Sequence, residues 1–368
     1  MASAIPLLIE FGQSPWYDNL TRAIATGGLQ KLMDIHGIRG VTSNPTIFEK
    51  AMGSGHDYDA QLREVTSAGA STEAAYWDLV TTDIEHAADV LRPLYDKLDA
   101  ADGYVSIEVS PDLAHDTAGT VRQAKELWDR LGRPNVMIKI PATIEGIPAI
   151  TETLAAGINV NVTLIFSLDR YQQVIDAFLA GLERLVASGG DIRNVASVAS
   201  FFVSRVDTET DRRLPEGHEL RGTAAVANAK LAYQLFREQL SGARWDNLVA
   251  AGARLQRPLW ASTSTKNPAY RPTLYIDELV GRDTVNTLAQ ASVDVLAEGD
   301  ADLRPDAILE GVDEARRVME ALPAAGVDFA DVTATLEREG VESFAKSFHD
   351  ALDTLEKKAA EFKTGELR

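Results

Sequence analysis

The chain is predicted to fold as an α/β protein: a closed (β/α)8 barrel with extra helices in long βα connections and a helical C-terminal extension. Three observations predict it. Strand-like and helical segments alternate along most of the 368 residues, the pattern of a parallel sheet. Eight strand-like segments can be placed, and eight βα units fill about 250 residues. Several of those strands carry polar residues on one face only, although a parallel strand buried on both faces reads as a continuous apolar run.

The strands are expected at 16–18, 40–43, 103–109, 135–140, 158–164, 195–201, 258–262 and 284–288. Between them, 118–131 repeats apolar residues every three or four positions and stops at Gly132, a C-cap signal. The helix at 168–187 follows Ser167, a good N-cap, and ends at Gly189-Gly190. A third runs over 224–240 and ends before Ser241-Gly242. The remaining length goes to two long connections, 46–102 and 204–257, and to a helical tail, 306–362. With no fixed-period repeat and no low-complexity linker, one domain is expected over 1–368, the barrel taking 13–300 and the extension 301–368.

The polar faces point to a site. In Tyr104-Val105-Ser106-Ile107-Glu108-Val109 the even positions are polar or aromatic and the odd ones aliphatic. In Asn159-Val160-Asn161-Val162-Thr163-Leu164 the polar residues share one face, and in Val136-Met137-Ile138-Lys139-Ile140 the lysine stands opposite aliphatics. The aliphatic faces suit the outer helices, so the polar faces must point inward. Each unpaired polar group inside a barrel costs on the order of 1–3 kcal/mol. Several strands accept that cost towards their C-terminal ends, where barrels of this kind place their active sites.

An inward lysine loses solvation, which lowers its pKa and frees the amine to attack a carbonyl and form a Schiff base. Lys139 is that candidate, and Glu108, facing the same way on the neighbouring strand, is its acid–base partner through a water positioned by Thr163. Asp18 is a second carboxylate, while Asn44 and Asn161 offer donors and acceptors for the hydroxyls of a polyol. Arg205 and Lys266, just past the sixth and seventh strands, are candidate phosphate ligands, with Ser262 and Ser264 as extra donors. Each residue also has a plainer use. Lys139 can snorkel to water, Glu108 can be its structural ion-pair partner, Asn44-Pro45 can be a turn, Asp18 can cap a helix, and the two cations can be solvated surface charges. Asn161 and Thr163 are hardest to explain away, since strand interiors rarely carry Asn without cause.

Composition narrows the field. The 55 Asp and Glu against 36 Lys and Arg give a formal charge of −19, which argues against a nucleic-acid or anionic-membrane binder. The absence of cysteine rules out disulfides and thiolate chemistry and fits a reducing cytoplasm. The six histidines, His36, His56, His86, His115, His218 and His349, form no HxxxH or HxH pair. The first twenty residues lack a basic n-region and carry Glu10, a poor signal peptide, and no run has the length of a membrane span.

Three segments resemble the transaldolase family in order and position: Gly40-Val41-Thr42-Ser43-Asn44-Pro45-Thr46-Ile47-Phe48, Val136-Met137-Ile138-Lys139-Ile140-Pro141-Ala142-Thr143 and Asn159-Val160-Asn161-Val162-Thr163-Leu164-Ile165-Phe166-Ser167. The resemblance runs from about Gln13 to the C-terminal helices. It implies transfer of a dihydroxyacetone unit between sugar phosphates in the non-oxidative pentose phosphate pathway, through a Schiff base on Lys139 and without cofactor or metal. It gives Glu108 the acid–base role, Thr163 the catalytic water and Asp18 the proton of the C4 hydroxyl. Asn44 and Asn161 hold the dihydroxyacetone hydroxyls, Ser200 lines the same pocket and Arg205 binds phosphate. Many members carry A-S-F-R-N after the seventh strand; this chain has Ala261-Ser262-Thr263-Ser264-Thr265-Lys266-Asn267, like a longer bacterial subgroup, and Lys266 stands where the second phosphate-binding arginine is expected. Phe202 lies where transaldolases and their aldolase relatives differ. Two alternatives stay open: a fructose 6-phosphate aldolase on the same scaffold, and a non-catalytic sugar-phosphate-binding barrel. The expected partners are small-molecule sugar phosphates, with neither nucleic acid nor membrane, in a cytoplasmic monomer or homodimer.

Overall fold

The computed structural model describes residues 3–364. Eight parallel strands close into a barrel in chain order: β1 (Gln13–Asp18), β2 (Gly40–Thr42), β3 (Tyr104–Glu108), β4 (Val136–Pro141), β5 (Val160–Ile165), β6 (Ser197–Phe202), β7 (Gln256–Ala261) and β8 (Thr284–Leu288). Closure runs through β8 against β1, with Thr284 opposite Gln13. Every expected strand is present, with ends displaced by at most three residues, the largest shift being β1, which begins at Gln13.

The helices follow from the same signals. Helix α1 (Ile5–Glu10) precedes the barrel and α2 (Leu29–His36) follows β1. The first long connection holds α3 (Pro45–Gly53), α4 (Asp59–Ser67) and α5 (Thr72–Lys97). Next come α6 (Thr117–Leu131), α7 (Gly146–Ala155) and α8 (Leu168–Ala187), then α9 (Ser204–Arg213), α10 (Ala224–Gln239) and α11 (Ala243–Ala250) in the second long connection. The chain ends with α12 (Leu274–Glu278), α13 (Gln290–Ala297), α14 (Val312–Ala321) and α15 (Phe329–Thr364). Ser167 caps α8 by accepting from the Arg170 N–H at 3.1 Å, and Gly132 closes α6 in the left-handed region at φ 56°.

Two strands, β1 and β7, begin earlier than expected because the barrel has a second polar layer at its N-terminal end. Gln13 donates to Leu279 O at 2.7 Å and to Thr284 Oγ1 at 2.9 Å, and Gln256 donates to Ser197 Oγ at 2.9 Å. Ser14 and the Trp16 indole both donate to the buried Asp102, and Arg257 approaches the same carboxylate at 3.4 Å. Polar residues at strand starts look like loop in a sequence; here each finds a partner across the barrel. Asp102→Ala removes the shared acceptor and leaves Arg257 without its counter-charge, and should cost about 3–5 kcal/mol of stability. Urea unfolding reads the loss, and the activity of the folded fraction should stay at the parent level, because the network lies away from the C-terminal mouth.

At the other end, two features shape the mouth. The β5/β6 register shifts between Val162 and Ile165, and Leu164 takes φ 59°, a left-handed conformation rare outside glycine. Helix α15 crosses over this bulge. A Cβ at Gly340 would lie 2.9 Å from Leu164 Cδ2, so the bare glycine lets the helix approach. The helix is tied down by Ser347 Oγ at 2.8 Å from Thr46 Oγ1, by Lys358 at 2.8 Å from Asp59, and by Phe348 edge-on to Tyr76 at 5.0 Å.

Candidate active site

A cavity of about 570 Å³ opens at the C-terminal mouth. Of the nine site residues expected from the sequence, Asp18, Asn44, Lys139, Thr163, Ser200, Arg205 and Lys266 line it. Glu108 and Asn161 do not: they lie in the layer beneath, Glu108 behind Lys139 and Asn161 below Ser200.

Strand register builds the floor. Lys139 on β4 is paired with Glu108 on β3 and with Asn161 on β5, so the three side chains share one inward layer. Thr163 sits one step higher, opposite Pro141. Lys139 is 5% exposed; its Nζ donates to the Ser43 carbonyl at 3.1 Å and lies 3.5 Å from Glu108 Oε1. That separation is an ion-pair distance, longer than a good hydrogen bond. Both Glu108 oxygens and the Thr163 hydroxyl are buried without a hydrogen-bond partner among the described residues. Burial pushes the Glu108 carboxyl up, against the pull of Lys139, to about 7. A carboxyl with that value exchanges protons readily near neutrality, which an acid–base group needs and a purely structural ion pair does not.

Asn161 is committed: its Nδ2 donates to Ser106 Oγ at 3.0 Å and its Oδ1 accepts from Ser200 Oγ at 2.8 Å. Its structural part is to orient Ser200 at the cavity wall. Asn44 uses Oδ1 to cap α3 at the Ile47 N–H, 3.0 Å away, which replaces the simple turn reading, and the residue also lines the cavity. Asp18 accepts from Thr42 Oγ1 at 2.7 Å.

The rim is cationic in a strongly acidic chain. The Arg205 guanidinium lies over the Phe202 ring at 5.3 Å, and no carboxylate pairs with it or with Lys266 among the described residues. Burial lowers Arg205; partial burial, then repulsion from Arg205, lowers Lys266, although that residue stays solvent-accessible in its loop. Two like charges in one cavity wall, with only the longer-range pull of Asp18 on both and neither in an ion pair among the described residues, form a ready place for a doubly charged anion. Ser262 and Ser264 flank it, bonded to Ser204 Oγ at 2.9 Å and Ser292 Oγ at 3.0 Å.

Some lining residues escaped the sequence reading. Thr42 and the Ser43 carbonyl hold Asp18 and Lys139, and both lie inside the first quoted segment without a signal of their own. Lys50 lines the α3 side, and Ser343 and Phe344 come from α15. The C-terminal extension is expected from the sequence to pack on the barrel; that Ser343 and Phe344 are the residues it brings to the mouth has no local signal. Among the described residues, no group of three or more His, Asp or Glu is placed to hold a metal ion.

A closed (β/α)8 barrel with a buried lysine and carboxylate beneath a cationic mouth is the layout of an enzyme that works on a small phosphorylated carbonyl compound. The sequence profile of the Transaldolase/Fructose-6-phosphate aldolase family matches residues 15–355. A transaldolase of Saccharopolyspora erythraea is 51% identical over 357 residues, covering 96% of this chain and 97% of that protein. One from Thermobifida fusca is 50% identical over 366 residues, covering 98% and 99%. Transaldolase 1 of Streptomyces coelicolor is 48% identical over 362 residues, covering 97% and 95%. The chain therefore belongs to the transaldolase/fructose-6-phosphate aldolase family.

Proposed function

We propose that this barrel is a transaldolase, moving a dihydroxyacetone unit from a ketose phosphate to an aldose phosphate through a Schiff base on Lys139. The observation that carries the reading is the Lys139–Glu108 pair, 3.5 Å apart in the floor of a mouth whose rim holds Arg205 and Lys266, neither in an ion pair among the described residues. Lys139 attacks the donor's C2 carbonyl to form a carbinolamine; Glu108 gives the proton with which its C2 hydroxyl leaves as water and the imine forms, with Thr163 orienting that water. The protonated imine draws electrons from the C3–C4 bond as the C4 hydroxyl passes its proton to Asp18. The aldose phosphate departs, the remaining enamine adds to the acceptor aldehyde, the new hydroxyl takes its proton from Asp18, and water hydrolyses the product imine to free Lys139. Arg205 and Lys266 hold the phosphate, and Asn44 and Ser200 the hydroxyls near C1 and C3; Asn161 acts through Ser200. Helix α15 over the mouth keeps water from the enamine between the two halves.

The test is borohydride reduction with fructose 6-phosphate, followed by peptide mass spectrometry. A three-carbon adduct on Lys139 is the expected result, and an adduct on another lysine or none, with donor binding intact, overturns the assignment. Turnover of fructose 6-phosphate should depend on erythrose 4-phosphate; free dihydroxyacetone released at the same rate without acceptor would make the enzyme an aldolase instead. We further infer a cytoplasmic monomer or homodimer. No described helix is long and apolar enough to cross a membrane, and sedimentation velocity reads the assembly.

A further inference from the structure

The Lys266 loop has a mechanical problem. Residues 262–273 contain no helix or strand, yet this segment must hold the Lys266 ammonium in the same cavity wall as the Arg205 guanidinium, which repels it, with Asp18 the one carboxylate of that lining to draw it back. Its start is pinned by the Ser204 N–H donating to the Ser262 carbonyl at 3.0 Å. Beyond Lys266 the loop turns, with the Tyr270 N–H bonded to the Asn267 carbonyl at 3.1 Å. The Tyr270 hydroxyl then donates to Asp211 Oδ2 at 2.5 Å.

Asp211 stands on α9, the helix that carries Arg205, and is only 6% exposed. Its other oxygen accepts from the Gly222 N–H at 2.9 Å, so the carboxylate is fixed from both sides. The tyrosine ring lies on bare backbone: a Cβ at Gly222, where φ is 73°, would come within 2.7 Å of Tyr270 Cζ. Burial and the Asp211 charge push the phenol up to about 12, so it remains a donor throughout the working pH range. One helix thus supplies Arg205 and Asp211, and one loop supplies Lys266 and Tyr270. A charge-assisted bond between the second pair offsets the repulsion between the first.

We propose that the Tyr270–Asp211 hydrogen bond is a latch that sets phosphate affinity, holding the irregular loop so that Lys266 stays beside Arg205. Tyr270 and Asp211 are positioning residues that act through Lys266, and the inference rests on the phosphate-rim reading given above.

The experiment compares Tyr270→Phe, Lys266→Ala and the double variant, using erythrose 4-phosphate and unphosphorylated erythrose as acceptors. For Tyr270→Phe the KM for erythrose 4-phosphate should rise about tenfold, the scale of one lost charge-assisted contact, with kcat within about twofold of the parent. The KM for erythrose should not move. The double variant should show no further rise beyond Lys266→Ala alone, because the latch works through that amine. Additive losses, or equal losses with both acceptors, overturn the latch and leave Tyr270 a structural residue. Should Tyr270→Phe fold poorly, Asp211→Asn replaces it: a neutral bond to Tyr270 survives, and a rise smaller than that of Lys266→Ala, confined to the phosphorylated acceptor, is expected. No KM change for that variant, with its fold intact, counts against the latch. A parent enzyme that does not distinguish the two acceptors would sink the phosphate-rim reading itself; a parent that does, with Lys266→Ala sensitive and Tyr270→Phe indifferent, sinks only the latch.

Discussion

Lys139→Met is expected to abolish turnover, with a loss on the order of a millionfold in kcat, the scale seen when a covalent nucleophile is removed. Methionine keeps most of the lysine stem's volume, so the β3–β4–β5 layer should survive and donor binding at the Arg205–Lys266 rim should persist. The variant separates chemistry from binding: isothermal titration with fructose 6-phosphate should still report a complex, while borohydride traps nothing. Retained turnover above about a thousandth of the parent would overturn the Schiff-base assignment. The substitution also leaves Glu108 buried without its counter-charge. A carboxyl whose folded-state pKa is raised gives stability that is present below its unfolded value and lost as pH rises through the folded one. Since Glu108 is already pushed up to about 7 beside Lys139, the variant's melting temperature should fall short of the parent's by more at pH 9 than at pH 6.

Glu108→Gln should lower kcat by about 10² to 10⁴, the usual share of a positioned acid–base group. The pH profile carries the finer prediction. In the proposed cycle, the ionised Glu108 carboxylate acts as the base that opens the reaction at Lys139. The kcat/KM for the donor should therefore fall as pH drops through about 7, the value to which burial raises Glu108 against the pull of Lys139. In the glutamine variant that limb should disappear, because the amide has no titration to contribute. A limb that persists near pH 7 in the variant would mean that another group titrates, and the proton role would pass from Glu108.

Much of this site is legible in residue order because period two fixes it. Once Ser106 and Glu108 are set on one face of a strand and Lys139 on the matching face of the next, parallel register brings them to one layer, and the structure has Glu108 opposite Lys139. Alternation does not separate residues that meet substrate from those that support them. Asn161 reads as an inward polyol ligand, yet its side chain is spent on Ser106 and Ser200. Nor does it mark the polar layer at the N-terminal end, where Gln13, Ser14 and Gln256 look like loop until partners from distant strands satisfy them.

The sequence by itself determined the eight strands, the inward set of polar side chains and the place of Lys139 among them, since strand alternation and side-chain type are local properties. Only the tertiary structure decided that α15 roofs the mouth with Ser343 and Phe344, that a bulge at Leu164 follows Thr163, and that Tyr270 ties the Lys266 loop to Asp211. The physical reason is range. A cap or an alternating face is written within a few residues, whereas a loop held against charge repulsion depends on groups dozens to hundreds of residues apart, which barrel closure alone brings within bonding distance.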